Sequence, residues 1–239
     1  MSKSRQAKQL RKRDPGESRN RILDAAAGHF GEVGFDAARV DAIARAAGLN
    51  KQLIYHYFGG KDRLFTYVLE RAYQQFREKE SALDLECLPA DQAILALVDF
   101  TWKYYLSHLG FIRLLNSENQ MHARHLKRSR RITKINARHL KSLRELIKRG
   151  QKDGTVRHGL DPLQLSINIA SLGFFYLINR YTLSTVFESN LGSPLNLRRR
   201  LEVMRDVIAR WIRPDPRRPK RANPARQKLY RPQPASKKR

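Results

Sequence analysis

Apolar residues recur along this chain at steps of three and four, the signature of helices that bury one stripe each. From about Glu17 to Val33 the stripe is Ile22, Ala25, Ala26, His29, Phe30 and Val33, and Gly34 is placed to end it. A second, shorter stripe of Val40, Ile43, Ala44 and Ala47 stops at Gly48, a residue suited to the left-handed position after a helix. Asn50 can cap the next helix, whose buried edge is Ile54 and Phe58 and whose stop is Gly59-Gly60. Leu64, Phe65, Val68, Leu69, Ala72, Tyr73 and Phe76 then line one face of a helix from about Lys61 to Ser81. Leu88-Pro89 marks a boundary, because the residue before proline disfavours helix.

The rest of the pattern predicts helices over about 91–109, broken at Gly110, then 111–122, 124–152, 162–188 and 194–212. Asp161-Pro162 supplies a cap and a first-turn proline for the fourth of these. No stretch alternates as a strand would, and no internal repeat is visible. The expected fold is all-α: an N-terminal three-helix domain holding a helix-turn-helix, followed by a larger helical bundle.

Charge divides the chain further. It has 48 Lys and Arg against 22 Asp and Glu, a net +26. Residues 1–21 carry +6 and residues 213–239 carry +10, so over half of the excess lies near the two ends. Residues 1–16 read as a flexible basic arm, with Pro15-Gly16 as the break. Residues 213–239, with six of the ten prolines, read as a disordered basic tail. Between them lie 17–80, with the helix-turn-helix at about 40–59, and 89–212. The tail reads equally as a solubilising appendage or as a non-specific DNA contact.

The helix over 51–58 is short, with Lys51, Gln52, Tyr55 and His56 on or beside its open side. Such a helix fits a DNA major groove, where Lys can donate to guanine and Gln can pair with adenine. On spacing alone a compact helical hairpin with no DNA role explains the stretch as well. Residues 18–70 resemble the DNA-binding domain of TetR/AcrR-family transcriptional regulators. The runs that carry the likeness are RILDAAAGHFGEVGF (21–35), VDAIARAAGL (40–49), YHYF (55–58) and KDRLF (61–65). The remaining helices are similar in layout to that family's ligand-binding and dimerisation domain. The NK-x-x-I-YHYFG run, with FFYLINRYTLS later, is most similar to the branch that includes pyrimidine- and purine-responsive members.

The resemblance implies a ligand-responsive, DNA-binding transcriptional regulator, a repressor that reads a palindromic operator as a homodimer. It places base contacts on Lys51, Gln52 and Tyr55 and phosphate contacts on Arg39, His56, Tyr57 and Lys61. Arg39 stands where the family more often has a Ser or Thr cap, which loses a cap but puts a guanidinium near a phosphate. The competing reading is an architectural or RNA-associated protein that binds polyanions through its basic ends.

Other chemistry is sparse. There is no Gly-rich phosphate loop, G-x-S-x-G, HExxH or C-x-x-C motif, so no enzyme is expected. His122, His125 and His139 lie beside many cations, with Glu118 as the nearest carboxylate; a solvated or interface-lining face is expected there, and no metal site or cofactor. A small-molecule effector is expected instead. Its candidate pocket residues are Trp102, Tyr105, Phe111, Asn116, Asn119, Asn168, Phe174, Phe175 and Asn179, polar groups set among aromatics. The Arg/Lys run over 124–149 has three readings: a solvated face, a second nucleic-acid patch, or a counter-surface for an anionic ligand. The last two helices carry more apolar surface than one protomer can cover. Phe175, Ile178, Leu201, Met204, Ile208 and Trp211 are therefore expected to pair with a second copy in a four-helix bundle. One cysteine, Cys87, excludes an intramolecular disulfide, and no stretch approaches a membrane span, so a cytoplasmic protein without membrane contact is expected.

Overall fold

The computed structural model describes residues 15–215, and these form ten α-helices with no strand. The arm over 1–14 and the tail from 216 lie outside the described residues. The head comprises α1 (Pro15–Ala37), α2 (Val40–Ala47), α3 (Lys51–Phe58) and the first half of α4 (Lys61–Ser81). The body comprises the rest of α4 with α5 (Ala90–Ser107), α6 (Leu109–Gln120), α7 (Arg130–Lys152), α8 (Pro162–Ile178), α9 (Arg180–Val186) and α10 (Pro194–Ile212). No helix among the described residues is long and apolar enough to cross a membrane.

Two cores share one helix. In the head, Ile22, Phe30, Ile43, Ile54, Leu64 and Phe65 are fully buried. Phe30 and Phe35 meet the Phe65 ring edge-on at 4.9 and 5.0 Å. In the body, Phe76 near the far end of α4 packs with Tyr104, Tyr105 and Phe111, so α4 is a rigid strut common to both cores.

Several boundaries differ from the pattern. Pro15 opens α1, two residues before the start the pattern gives it. Gly34 interrupts α1 with φ 78° and ψ 176°; the chain then turns once more, sends Phe35 inward and leaves Val33 exposed. The break after α5 falls at His108, while Gly110 lies within α6. There α1 crosses close over α6: a Cβ on Gly31 would stand 3.2 Å from the Gly110 Cα. The expected helix over 124–152 begins only at Arg130, with Ser129 as its cap through an acceptor to the Ile132 N–H. The expected 162–188 helix is two, broken at Asn179.

α10 also differs in orientation. Met204 and Ile208, expected on a surface that meets a second copy, are fully buried in the protomer's own core, and Leu201 and Trp211 are half-buried against it. The outward apolar residues of α10 are Leu195, Val203 and Val207. On α8 they are Ile167 and Phe175, with Ile178 half-buried. A stripe at steps of three and four has two possible facings, and contact with α5 chose the inward one.

Candidate DNA interface and its link to the body

The turn between α2 and α3 is built from its sequence. Gly48 adopts φ 61° and ψ 37°, a left-handed conformation that costs glycine little, and its N–H returns to the carbonyls of Ala44 and Arg45. Asn50 caps α3, its side chain accepting from the Gln52 N–H at 2.9 Å. Caps of this kind are worth about 1 kcal/mol. Arg21 fastens α1 to the end of α2 by donating to the Ala47 carbonyl at 2.6 Å. Sequence reasoning missed Arg21, since nothing in its spacing separates it from the other cations of α1.

With Ile54 and Phe58 buried, the opposite side of α3 is open. Lys51, Gln52, Tyr55 and His56 are exposed together, and Tyr57 is half-buried against the His56 and Phe58 rings. Lys51 meets Asp41 at 3.3 Å, an exposed pair of small worth that a DNA contact can replace. Arg39 occupies the N-cap of α2 in extended conformation with no side-chain cap bond, so its exposed guanidinium lies at the end of that helix. Lys61 differs from expectation. Its ammonium donates to the Asp36 carbonyl at 3.0 Å and stands 4.5 Å from the Phe35 ring centre, which makes it first a bracket between α1 and α4.

The head is locked to the body through the segment between α6 and α7. Glu118 is fully buried, and one of its oxygens accepts from the N–H groups of His125 and Leu126 at 2.7 and 2.9 Å. Its other oxygen meets His125 Nδ1 at 2.7 Å. The His125 ring is fully buried between Phe35 and Phe65, at 4.9 and 4.8 Å, with Nε2 3.3 Å from Asp62 at the start of α4. Arg124 also donates to Asp62, at 3.0 Å. His125 and Glu118, which the pattern assigns to a solvated or interface-lining face, are instead a structural clasp. Their partners come from α1, α4 and α6, which no local spacing reveals. Among the described residues no three His, Cys, Asp or Glu side chains are grouped to hold a metal ion.

A second polar cluster lies inside the body, around a cavity of about 40 Å³ between α4, α5, α7 and α8. Arg77 donates to both Glu80 oxygens at 2.8 and 2.7 Å, and Glu80 also meets His139 Nδ1 at 2.9 Å. His139 Nε2 faces the Ser166 hydroxyl at 3.0 Å. Burial pushes the Glu80 carboxyl up, but hydrogen bonds and charge from His139 and Arg77 outweigh it and hold the group below the ordinary Glu value. Tyr105 lines the same cavity, and burial pushes its phenol up.

Of the nine expected pocket residues, only Tyr105 lines this cavity. Trp102 and Phe111 fill the core, and Phe174 packs on it. Phe175 is 57% exposed, Asn119 is exposed, and Asn116 and Asn168 are half-buried elsewhere. Asn179 ends α8 by donating to the Phe175 carbonyl at 2.9 Å. Sequence reasoning missed Arg77, Glu80 and Ser166, and weighed His139 only as a metal ligand or surface group, because the four come from three helices far apart in sequence.

A helix-turn-helix with a polar open face, seated on a strut that enters a separate helical body, defines a DNA-binding transcriptional regulator. Residues 22–68 match the family described as bacterial regulatory proteins, tetR family. Residues 91–208 match the tetracyclin repressor-like C-terminal domain. The chain is 33% identical over 204 residues to the HTH-type transcriptional repressor NicS of Pseudomonas putida, covering 85% of this chain and 96% of that protein. It is 38% identical over 103 residues to the HTH-type transcriptional repressor SCO4008 of Streptomyces coelicolor, covering 43% of this chain and 50% of that one. Among solved structures, the transcriptional regulator SCO4942 of Streptomyces coelicolor shares the fold with a TM-score of 0.63 at 22% identity, covering 82% of this chain and 98% of that one. FadR of Bacillus subtilis, solved with stearoyl-CoA, does so with a TM-score of 0.61 at 18% identity, covering 81% and 98%. The chain belongs to the TetR family of transcriptional regulators, and its relatives place it among the repressors.

Proposed function

We propose that this regulator is a homodimer that represses by holding a palindromic operator, and that a small effector entering the cavity between α4, α5, α7 and α8 releases it. The observation that carries the dimer is the outward apolar row of Ile167 and Phe175 on α8 with Leu195, Val203 and Val207 on α10, which the protomer leaves uncovered. Burying that row against its symmetry mate presents two α3 helices to two half-sites. Lys51, Gln52 and Tyr55 read bases, while Arg39, His56 and Tyr57 take phosphates; Lys61 adds its remaining donors from the bracket it forms.

The effector reading rests on α4. Its first half belongs to the head core and its second half, with Phe76, Arg77 and Glu80, forms a wall of the cavity. At about 40 Å³ the cavity has room for a few waters. A larger molecule enters only by displacing α4 or a neighbour, and that displacement carries the head with it. The effector thus prefers one spacing of the two heads, which is the differential affinity that allostery requires.

Sedimentation of the full chain tests the assembly. Val203→Glu changes an exposed residue and should leave the protomer folded but monomeric, with tight binding of a palindromic site lost. A protein already monomeric at micromolar concentration that still binds such a site tightly refutes the dimer. Binding that depends steeply on salt without sequence preference would favour the architectural reading instead.

A further inference from the structure

The outer face of α7 carries cations in a single row. Arg131, Lys134, Arg138, Lys141 and Lys148 follow at helical steps and are all exposed, flanked by exposed Arg130 and Arg144. From 119 to 152 the only acid is Glu145, which pairs with Lys148 at 3.1 Å. Arg130, Lys134, Arg138, Lys141 and Arg144 have no carboxylate partner among the described residues. Two features of this placement oppose the helix itself. Like charges stand one turn apart at Arg130/Lys134, Lys134/Arg138 and Arg144/Lys148, where opposite charges would stabilise. Arg130 and Arg131 also crowd the N-terminal turn, the positive end of the helix dipole. An ordinary solvated face interleaves acids and avoids both penalties.

The row does not point at the operator. Ser129 meets Glu70, Arg131 meets Gln74, Asn136 meets Arg77 and His139 meets Glu80. Residue numbers rise together on both helices, so α7 runs alongside α4 in the same direction. The row therefore starts beside the middle of α4 and leads away from α3. From Arg131 to Lys148 it spans roughly 26 Å at 1.5 Å per residue, most of one turn of duplex.

We propose that the α7 row binds the phosphate backbone of a second segment of double-stranded DNA, distinct from the segment read by α3. Residues 122–152 contain no Phe, Tyr or Trp, so no stacking platform for single-stranded nucleic acid is available. The exposed residues between the cations are Thr133, Ala137, Ser142 and Glu145, which offer nothing to insert into a bilayer. A rigid, straight row of cations without aromatic or apolar groups suits a duplex backbone, held without regard to sequence. The regulator can then bridge two DNA segments or draw flanking DNA along its side.

The test uses the full chain with its recognition helix disabled by Lys51→Ala and Tyr55→Ala, and a random 30-base-pair duplex as probe. In that background the triple variant Lys134→Gln/Arg138→Gln/Lys141→Gln should weaken duplex binding at least tenfold at about 0.1 M salt. It should also lower the slope of log affinity against log salt by between two and three, for about three phosphates no longer neutralised. A control removing three scattered exposed cations (Lys103→Gln/Arg113→Gln/Arg198→Gln) should lower that slope by less than one. The row variant's thermal midpoint should rise, because its like-charge neighbours are gone. Equal losses in the row and control variants overturn the proposal. So does a loss at least as large for a single strand of the same length or for phosphatidylserine vesicles, and so does a fall in the midpoint.

Discussion

Replacing Glu118 by Ala removes one residue that three donors share. The carboxylate accepts from two backbone N–H groups and from the His125 ring, and all three are enclosed by Phe35, Phe65 and the α6–α7 turn. A buried donor left without its acceptor costs about 1–3 kcal/mol. Three such donors sum to about 3–9 kcal/mol, and the freed turn can relax toward solvent and recover part of the loss, so about 3–5 kcal/mol is expected for Glu118→Ala. In a domain of this size each kcal/mol shifts the melting midpoint by about 2–4 °C, giving a fall of about 6–20 °C at fixed protein concentration. Glu118→Gln keeps an acceptor for the two N–H groups and should lose about 1–2 kcal/mol, mainly at His125. Urea and thermal unfolding followed by circular dichroism measure both. A Glu118→Ala protein within about 1 kcal/mol of the parent would show that the clasp is not what joins head to body.

Gly150→Ala should destabilise by roughly 1–3 kcal/mol or more, because its Cβ would stand 2.7 Å from the Ala90 Cβ and closer still to Val156; urea unfolding reads the loss. Glu80, held below the ordinary value of 4.5, contributes stability that is present above that pH and is lost as pH falls through its folded value. Glu80→Gln should therefore be less stable at neutral pH and lose less between pH 5 and 3, which thermal scans across that range would check. Gln52→Ala should cost about 1–3 kcal/mol at the cognate site with little change on random duplex, whereas Lys61→Ala, by freeing α1 from α4, should lower the melting midpoint as well as weaken every duplex. Ile208→Glu should unfold the protomer where Val203→Glu does not, since the first side chain is fully buried and the second 49% exposed; circular dichroism separates the two.

What the sequence determined by itself is local. The limits of α2, α3, α4 and α10 follow from residues a few positions apart: Gly48, Asn50, Gly59-Gly60 and Ser193-Pro194 each act within one turn, through backbone conformation or a single capping bond. The open face of α3 is equally legible, because burying Ile54 and Phe58 fixes where Lys51, Gln52 and Tyr55 must point. The tertiary structure decided everything that needs two distant segments. Gly110 reads as a breaker, yet it lies within α6, where α1 crosses so closely that a Cβ on Gly31 would stand 3.2 Å from the Gly110 Cα. His125 and Glu118 read as surface groups until Phe35, Phe65 and Asp62 enclose them. Met204 and Ile208 read as a seam for a second copy until α5 and α8 take that face. The cavity is the extreme case: its Arg, Glu, His and Ser come from α4, α7 and α8, and a periodic stripe says that a face is buried but not against what.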